Sequence, residues 1–237
     1  DSWDALLTAM THKGYTKQEL ISAGLAVNGK NGRLYDKFRN RLMLPVIDVR
    51  GDVVGFGSRV LDKSEPKYMN TPETLTYSKR RILYGMNLAK KSKRSNIILC
   101  EGNLDVVTLH QAGFDNAVAS MGTALTQEQL RLLSRYTKEL VLCYDNDNAG
   151  QQATRRALEL LNNSEFSVKV LQLPRRLVDG EYIKQDADDF IKFQGPAAFE
   201  RLLTGSENGV EFRLDQIAGK YDLTDDTQRI AYAHEAS

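Results

Sequence analysis

"LVLCYDNDNAGQQATRRALELL", residues 140–161, joins an apolar run to a helical one across a short polar turn. The run stops at Asp145, a second acid follows at Asp147, and helical periodicity begins straight after. An apolar run of this length ahead of a helix reads as a buried strand in an α/β unit. Two aspartates at its tip have three readings: a calcium loop, a helix cap, or ligands of a catalytic metal. The calcium loop can be tested by counting. Asp145, Asp147 and Gly150 fall at positions 1, 3 and 6 of an EF-hand, but Ala149 and Arg156 stand where a ligand and the bidentate Glu belong. That reading is rejected. Asp147 and Asn148 are good N-cap types, and the helix dipole favours a carboxylate there by roughly 0.3–1 kcal/mol.

The same rhythm repeats around this stretch. "NIILC", "NAVAS", "ELVLCY" and "SVKVLQL" read as strands, separated by the helical "LDVVTLHQAG", "LTQEQLRLLSRY" and "QQATRRALELLNN". Strands alternating with helices over short links predict a parallel sheet. In such a sheet ligands gather beyond the carboxyl ends of the strands. There stand Glu101, with Asp105 a turn into the next helix, then Asp145 and Asp147, then Asp186, Asp188 and Asp189. Capping explains one acid but not the set, because carboxylates brought together repel and raise one another's pKa. A divalent cation makes such a set tolerable. Oxygen ligands without His or Cys favour Mg²⁺, Mn²⁺ or Ca²⁺ over zinc.

Upstream, "WDALLTAM" and "YTKQELISAGLAV" read as short helices, the second capped by Thr16 with Glu19 three places on. "RLMLPVIDVRGDVVGFGSRVL" reads as a hairpin turning at Arg50-Gly51-Asp52, and "SEPKYMNTPET" as a loop. "KRRILYGMNLAKKSKRS" reads as a helix ending in Lys90, Lys91, Lys93 and Arg94. Past Pro174, "GPAAFERLL" and "ENGVEFRLDQIAGKY" read as helices. The net charge of +1 conceals a segregation. Residues 30–94 hold 16 Lys/Arg against 6 Asp/Glu, and residues 180–237 hold 6 against 12. A basic block of this kind is either a solvated surface or the footprint of a phosphate backbone.

With 237 residues, 41% hydrophobic and 27% charged, the chain has the composition of a soluble globular protein with more than one folding unit. No apolar run approaches the roughly 18 residues of a membrane span. The start lacks both a basic signal-peptide region and an initiator Met, which reads as a fragment. Cys100 and Cys143 end predicted strands; they read as buried thiols in a reducing cytoplasm, without zinc spacing.

"EGNLDVV", "DNDNAG" and "DADD" together resemble the Toprim signature, a lone Glu followed by D-x-D, shared by primases, topoisomerases and some nucleases. "YDKFRNRLMLPVIDVRGDVVGFGSRVL" and "PKYMNTPET…YSKRRILYG" resemble the RNA polymerase domain of bacterial DnaG-type primases, and the likeness runs over nearly the whole chain. It implies an α/β fold: a Toprim-type parallel sheet, preceded by a mixed α+β basic subdomain (1–94), itself spanning 95–194, and followed by the start of a helical segment (195–237). The zinc ribbon and helicase-binding module of a full primase are not visible, so the expectation is an isolated polymerase core without zinc.

The implied activity is that of a nucleotidyltransferase making short RNA primers on a single-stranded DNA template from ribonucleoside triphosphates. Mg²⁺ is the implied cofactor, with Mn²⁺ substituting. The implied setting is the cytoplasmic replication fork, with a replicative helicase as partner and no membrane. By position, Glu101, Asp145 and Asp147 are the implied central metal ligands, and Asp105, Asp186 and Asp188 complete the acidic site. Lys37, Arg39, Arg41, Arg59, Lys67, Tyr68, Asn70 and Lys79 fall on the family's nucleotide- and template-binding stretch. Asn103-Leu104 stands where the family has an aromatic and Met, Asn146 where Gly is usual, and Ala187 where Pro is common. Two rivals remain: a Toprim nuclease or topoisomerase fragment, whose nucleophile would be a Tyr of a partner or, in this chain, Tyr144 or Tyr136 near the Toprim site, and an inactive single-strand or nucleotide-binding module.

Overall fold

The computed structural model describes residues 2–178 and 180–236. The chain opens with two helices, α1 (Ala5–His12) and α2 (Lys17–Ser22). The expected capping box at Thr16 forms: its hydroxyl accepts from Glu19 N at 3.2 Å, and Glu19 Oε2 accepts from Thr16 N at 2.7 Å. The start of α1 is capped from a distance, because Asp36 accepts from the N–H groups of Leu6 and Leu7 at 2.7 and 2.8 Å. Asp36 ends β2 (Leu34–Asp36), which pairs antiparallel with β1 (Ala26–Asn28). The sequence placed Ala26 and Val27 in a helix; α2 instead stops at Ser22. Gly24 then turns the chain at φ +69°, where a Cβ would sit 2.7 Å from Pro72.

The predicted hairpin is present as β3 (Arg41–Ile47) and β4 (Val53–Val60). Asp48 closes its turn by accepting from the N–H groups of Arg50, Gly51 and Asp52. The expected loop after it contains a third strand, β5 (Tyr68–Asn70), antiparallel to β4. Side chains extend its ladder: Phe56 N donates to Thr71 Oγ1 at 2.8 Å and Ser58 Oγ donates to Met69 O at 3.0 Å. The long basic helix is also corrected. Only one turn forms, α3 (Met86–Ala89). Gly85 takes φ +81° with Val106 and the Ala117 carbonyl against its missing Cβ, and Tyr84 forms a backbone bridge with Ala119. Leu83 and Met86 are thereby buried rather than laid along a surface helix.

The predicted alternation holds through β6 (Asn96–Cys100), α4 (Asn103–Gln111), β7 (Ala117–Ala119), α5 (Gln127–Leu133), β8 (Glu139–Leu142), α6 (Asn148–Leu161) and β9 (Ser167–Val170). The strands lie in the order β7-β6-β8-β9, all parallel. After β9 comes an unforeseen hairpin, β10 (Arg176–Val178) and β11 (Glu181–Ile183), then α7 (Ala187–Gln194) and α8 (Pro196–Thr204). β12 (Glu207–Asn208) adds antiparallel to β9, and α9 (Gly209–Ala218) and α10 (Asp226–Ala236) follow. No helix among the described residues is long and apolar enough to cross a membrane.

Alternate residues of each strand enter two cores. Leu99, Leu140 and Leu142 pack with Leu130, Leu133, Leu158 and Leu161 of α5 and α6. Ile98, Cys100, Val141 and Cys143 pack with Val106 and Leu109 of α4 and with Phe190, Phe199 and Leu203 of α7 and α8. Both cysteines are free and buried, as expected. Phe199 is fully buried, its ring 4.7 Å from that of Phe114 and 6.0 Å from that of Phe190. Phe199→Ala should therefore cost about 3–5 kcal/mol in a urea melt, because the cavity lies where two helices meet the sheet.

Candidate metal centre

The tip of β8 is shaped by the close approach of α6. A Cβ on Gly150 would lie 2.0 Å from the Asp145 carbonyl oxygen and 2.9 Å from Glu101 Oε1, so only glycine fits. Glu101, at the tip of neighbouring β6, accepts from Asp145 N at 3.2 Å. Asp147 caps α6, its Oδ1 accepting from Gly150 N at 2.8 Å, while Oδ2 lies 3.6 Å from Lys184 Nζ. The Gly150 N–H, followed by Lys184, holds the Asp147 carboxyl below its ordinary pKa. The capping role read from the sequence is therefore real.

A second set of acids opens α7. Asp186 is its N-cap, accepting from Asp189 N at 2.7 Å. Asp188 is buried, accepts from the Thr108 hydroxyl and pairs with Lys192 at 2.6 Å. Among the described residues, the ligand atoms that already converge are those of Asp186, Asp188 and Asp189, within 4.8 Å of one another. Asp105, also buried, joins the two sets: one oxygen accepts from Gly102 N at 3.0 Å and the other from Asp188 N at 3.2 Å. Asp189, which the sequence places among these acids but outside the implied ligand set, joins them here.

The two sets lie within electrostatic reach of each other. Burial, then the charges of Glu101, Asp186, Asp147 and Asp189, push Asp145 up to about 6. Burial, then Asp186 and Asp145, pushes Asp105 up to about 8. Glu101 and Asp186 are raised as well, chiefly by burial. A constellation of hard oxygen donors that holds protons it would shed to a cation suits a divalent metal ion.

The basic stretch is distributed unevenly. Arg59 on β4 lies beside Tyr68 on β5, and the Arg59 and Lys67 cations each sit 5.5 Å from the Tyr68 ring. Tyr68 is exposed; burial raises its hydroxyl pKa against the Arg59 charge, and Asp105, Asp186 and Asp188 add to the rise, so the acids lie within electrostatic reach of this edge. Lys37 and Lys79 are neighbours: burial, then the Lys79 charge, lowers the Lys37 pKa. Other residues of the set are engaged in structure. Arg39 is stacked on Trp3 and Tyr35, at 4.5 and 4.7 Å. Arg41 donates to Pro66 O at 2.7 Å, and Asn70 donates to Met121 O at 3.2 Å, steadying a residue with φ +60°. In the dense cluster, Arg94 pairs with Glu200 at 2.9 Å and Lys90 donates to Val49 O.

Two outcomes follow from this geometry. Gly150→Ala should displace the Asp145–Asp147 loop and sharply weaken divalent-cation binding, measured by isothermal titration. Cation binding should also tighten from pH 5 to 8 and release protons, because Asp145 and Asp105 must ionise first. The sign for stability is the reverse. Their folded-state pKa values are raised, so the cation-free protein should lose stability as pH rises from about 4 through 6 to 8. Added divalent cation should offset that loss in a melting curve.

Residues 1–90 match the DNA primase catalytic core, N-terminal domain, and residues 98–191 match the Toprim-like family. The DNA primase of Clostridium acetobutylicum is 44% identical over the whole of this chain, which spans 38% of that relative's length. A DNA primase domain from Pseudomonas aeruginosa superposes with a TM-score of 0.84 at 35% identity, covering 99% of this chain and 73% of that one. A DnaG primase catalytic domain bound to single-stranded DNA superposes with a TM-score of 0.83 at 36% identity, covering 97% and 71%. With its acids, its sheet and its basic flank arranged as they are, the chain belongs to the family of DnaG-type DNA primase catalytic cores.

Proposed function

We propose that this protein is a nucleotidyltransferase that synthesises short RNA primers on single-stranded DNA for replication. The observation that carries the reading is that two acid sets lie within electrostatic reach of each other and, through Tyr68, of the partly exposed Arg59–Lys67–Tyr68 edge. Glu101, Asp145, Asp147, Asp186 and Asp188, with Asp189, hold Mg²⁺, for which Mn²⁺ can substitute. Asp105, with each oxygen on a backbone N–H, keeps the two sets together. Bound cations supply charge neutralisation at the transferring phosphate and a lowered pKa for the attacking hydroxyl.

The chain's own residues orient the reactants. Arg59 and Lys67 bind triphosphate or template phosphates, the first as a fork and the second as a point charge. Tyr68 offers a stacking face to a base. Lys37 and Lys79, close enough that the Lys79 charge adds to the burial that lowers the Lys37 pKa, gain from an anion between them. In the reaction the 3′ oxygen attacks the α-phosphorus of the incoming ribonucleotide and a new P–O bond forms. The bond to the β-phosphate breaks, pyrophosphate leaves, and the hydroxyl proton passes to solvent.

The division into a basic subdomain (1–94), a Toprim subdomain (95–194) and a helical segment (195–237) belongs to this proposal. So do a cytoplasmic, nucleoid-associated setting and a helicase partner bound by a part of the protein outside this chain. The topoisomerase reading finds no support at Tyr144, which is buried in the sheet core.

The double change Asp145→Ala, Asp147→Ala should lower primer synthesis on single-stranded DNA by roughly 10²–10³-fold or more while the circular dichroism spectrum persists. Synthesis at the parent rate would refute the metal assignment. Charge reversal at Arg59 or Lys67 should weaken nucleotide or template binding and leave cation binding intact.

A further inference from the structure

Two carboxamides hold consecutive carbonyls between the acid sets. Past β9 the chain begins to leave the sheet: Leu171 N still donates to Leu142 O at 2.9 Å, and the β10–β11 hairpin then carries it away. Where it leaves, Asn146 Nδ2 donates to Leu173 O at 3.0 Å. Where it returns, Gln185 Nε2 donates to Pro174 O at 2.5 Å. Asn146 lies between Asp145 and Asp147, and Gln185 directly precedes Asp186. The Asn146 amide is itself oriented by Gln151 Nε2, 3.4 Å from its Oδ1, and the Lys184–Asp147 pair runs alongside.

Gln185 is 3% exposed, and its Oε1 has no hydrogen-bond partner among the described residues. Were it there only to fill space, an apolar side chain of the same length would do so without a buried orphan carbonyl. What the carboxamide contributes is its donor. At Asn146 the backbone φ is not in the left-handed region, so the turn itself makes no demand for glycine or asparagine. The side chain's contact with Leu173 is what distinguishes it.

We propose that Asn146 and Gln185 are positioning residues: by holding the consecutive Leu173 and Pro174 carbonyls they fix the spacing of Asp145–Asp147 against Asp186–Asp189, and so set divalent-cation affinity. The inference rests on reading those acids as one cation site.

The test is Mn²⁺ titration of the nucleotide-free protein, with unbound Mn²⁺ read by electron paramagnetic resonance, for the parent, Asn146→Ala, Gln185→Met and the double variant. Each single change should raise the Mn²⁺ dissociation constant by about 10-fold or more, as loss of an outer-sphere support does, with the melting midpoint unchanged. The double variant should be little worse than either single one, because both changes release the same short segment at Leu173 and Pro174. Gln185→Met preserves volume; should it fail to fold, Asn146→Ala, at a half-exposed position, decides alone. Affinity unchanged within about twofold would overturn the clamp. An affinity loss that merely tracks a lowered melting midpoint would overturn it in favour of general loosening. A parent that binds no Mn²⁺ would overturn the cation site, and the clamp with it.

Discussion

Carboxylates gathered out of water repel one another, and this chain is built around keeping several of them together. Asp145 and Asp105 take up protons far more readily than free aspartates, and burial is the leading cause in both. The scaffold bears that cost through backbone contacts. Glu101 rests on Asp145 N, Asp147 on Gly150 N, Asp186 on Asp189 N, and Asp105 on both Gly102 N and Asp188 N. These four acids are each oriented by a peptide group of another loop or of their own helix start, while Asp188 rests on the Thr108 hydroxyl and Lys192.

Gly150 shows how tightly this constraint reaches into the sequence. The helix after β8 begins so near the strand tip that its first turn overlies the Asp145 peptide. The cap by Asp147, on the Gly150 N–H, follows from that proximity. A pattern that looked like a calcium loop owes its glycine to helix–strand packing instead.

The parallel sheet and its acids were legible because both rest on local signals: apolar runs of strand length, helical periodicity, and carboxylates placed just after the runs. The elements that escaped have other determinants. β1, β5 and the β10–β11 hairpin are three residues per strand, too short for alternation to register. "KRRILYGMNLAKKSKRS" has helical composition, but Gly85 packs against Val106 and Ala117, a tertiary contact that no local pattern announces. Likewise Arg39 and Asn70 sit in a basic, template-like stretch, yet stacking on Trp3 and a bond to Met121 occupy them. Charge in a sequence does not distinguish a side chain bound inward from one offered outward. Asn103 is a related case: its amide fills the space left by Gly57, joining the two parts of the chain where an aromatic residue is usual in the family.

The two outer margins of the five-stranded sheet are finished differently from its middle. Beside β7, the backbone bridge between Tyr84 and Ala119 occupies hydrogen-bonding groups that would otherwise face outward. Beyond β9, the antiparallel β12 is only two residues long. A free margin of a sheet is a template on which another chain can add a strand, and proteins blunt it with very short strands or by covering it. Here the parallel core is closed at one margin by the Tyr84 segment ahead of α3 and at the other by the segment leading into α9. The neighbouring parts of the chain thus protect the acid-bearing strands from pairing with a second molecule.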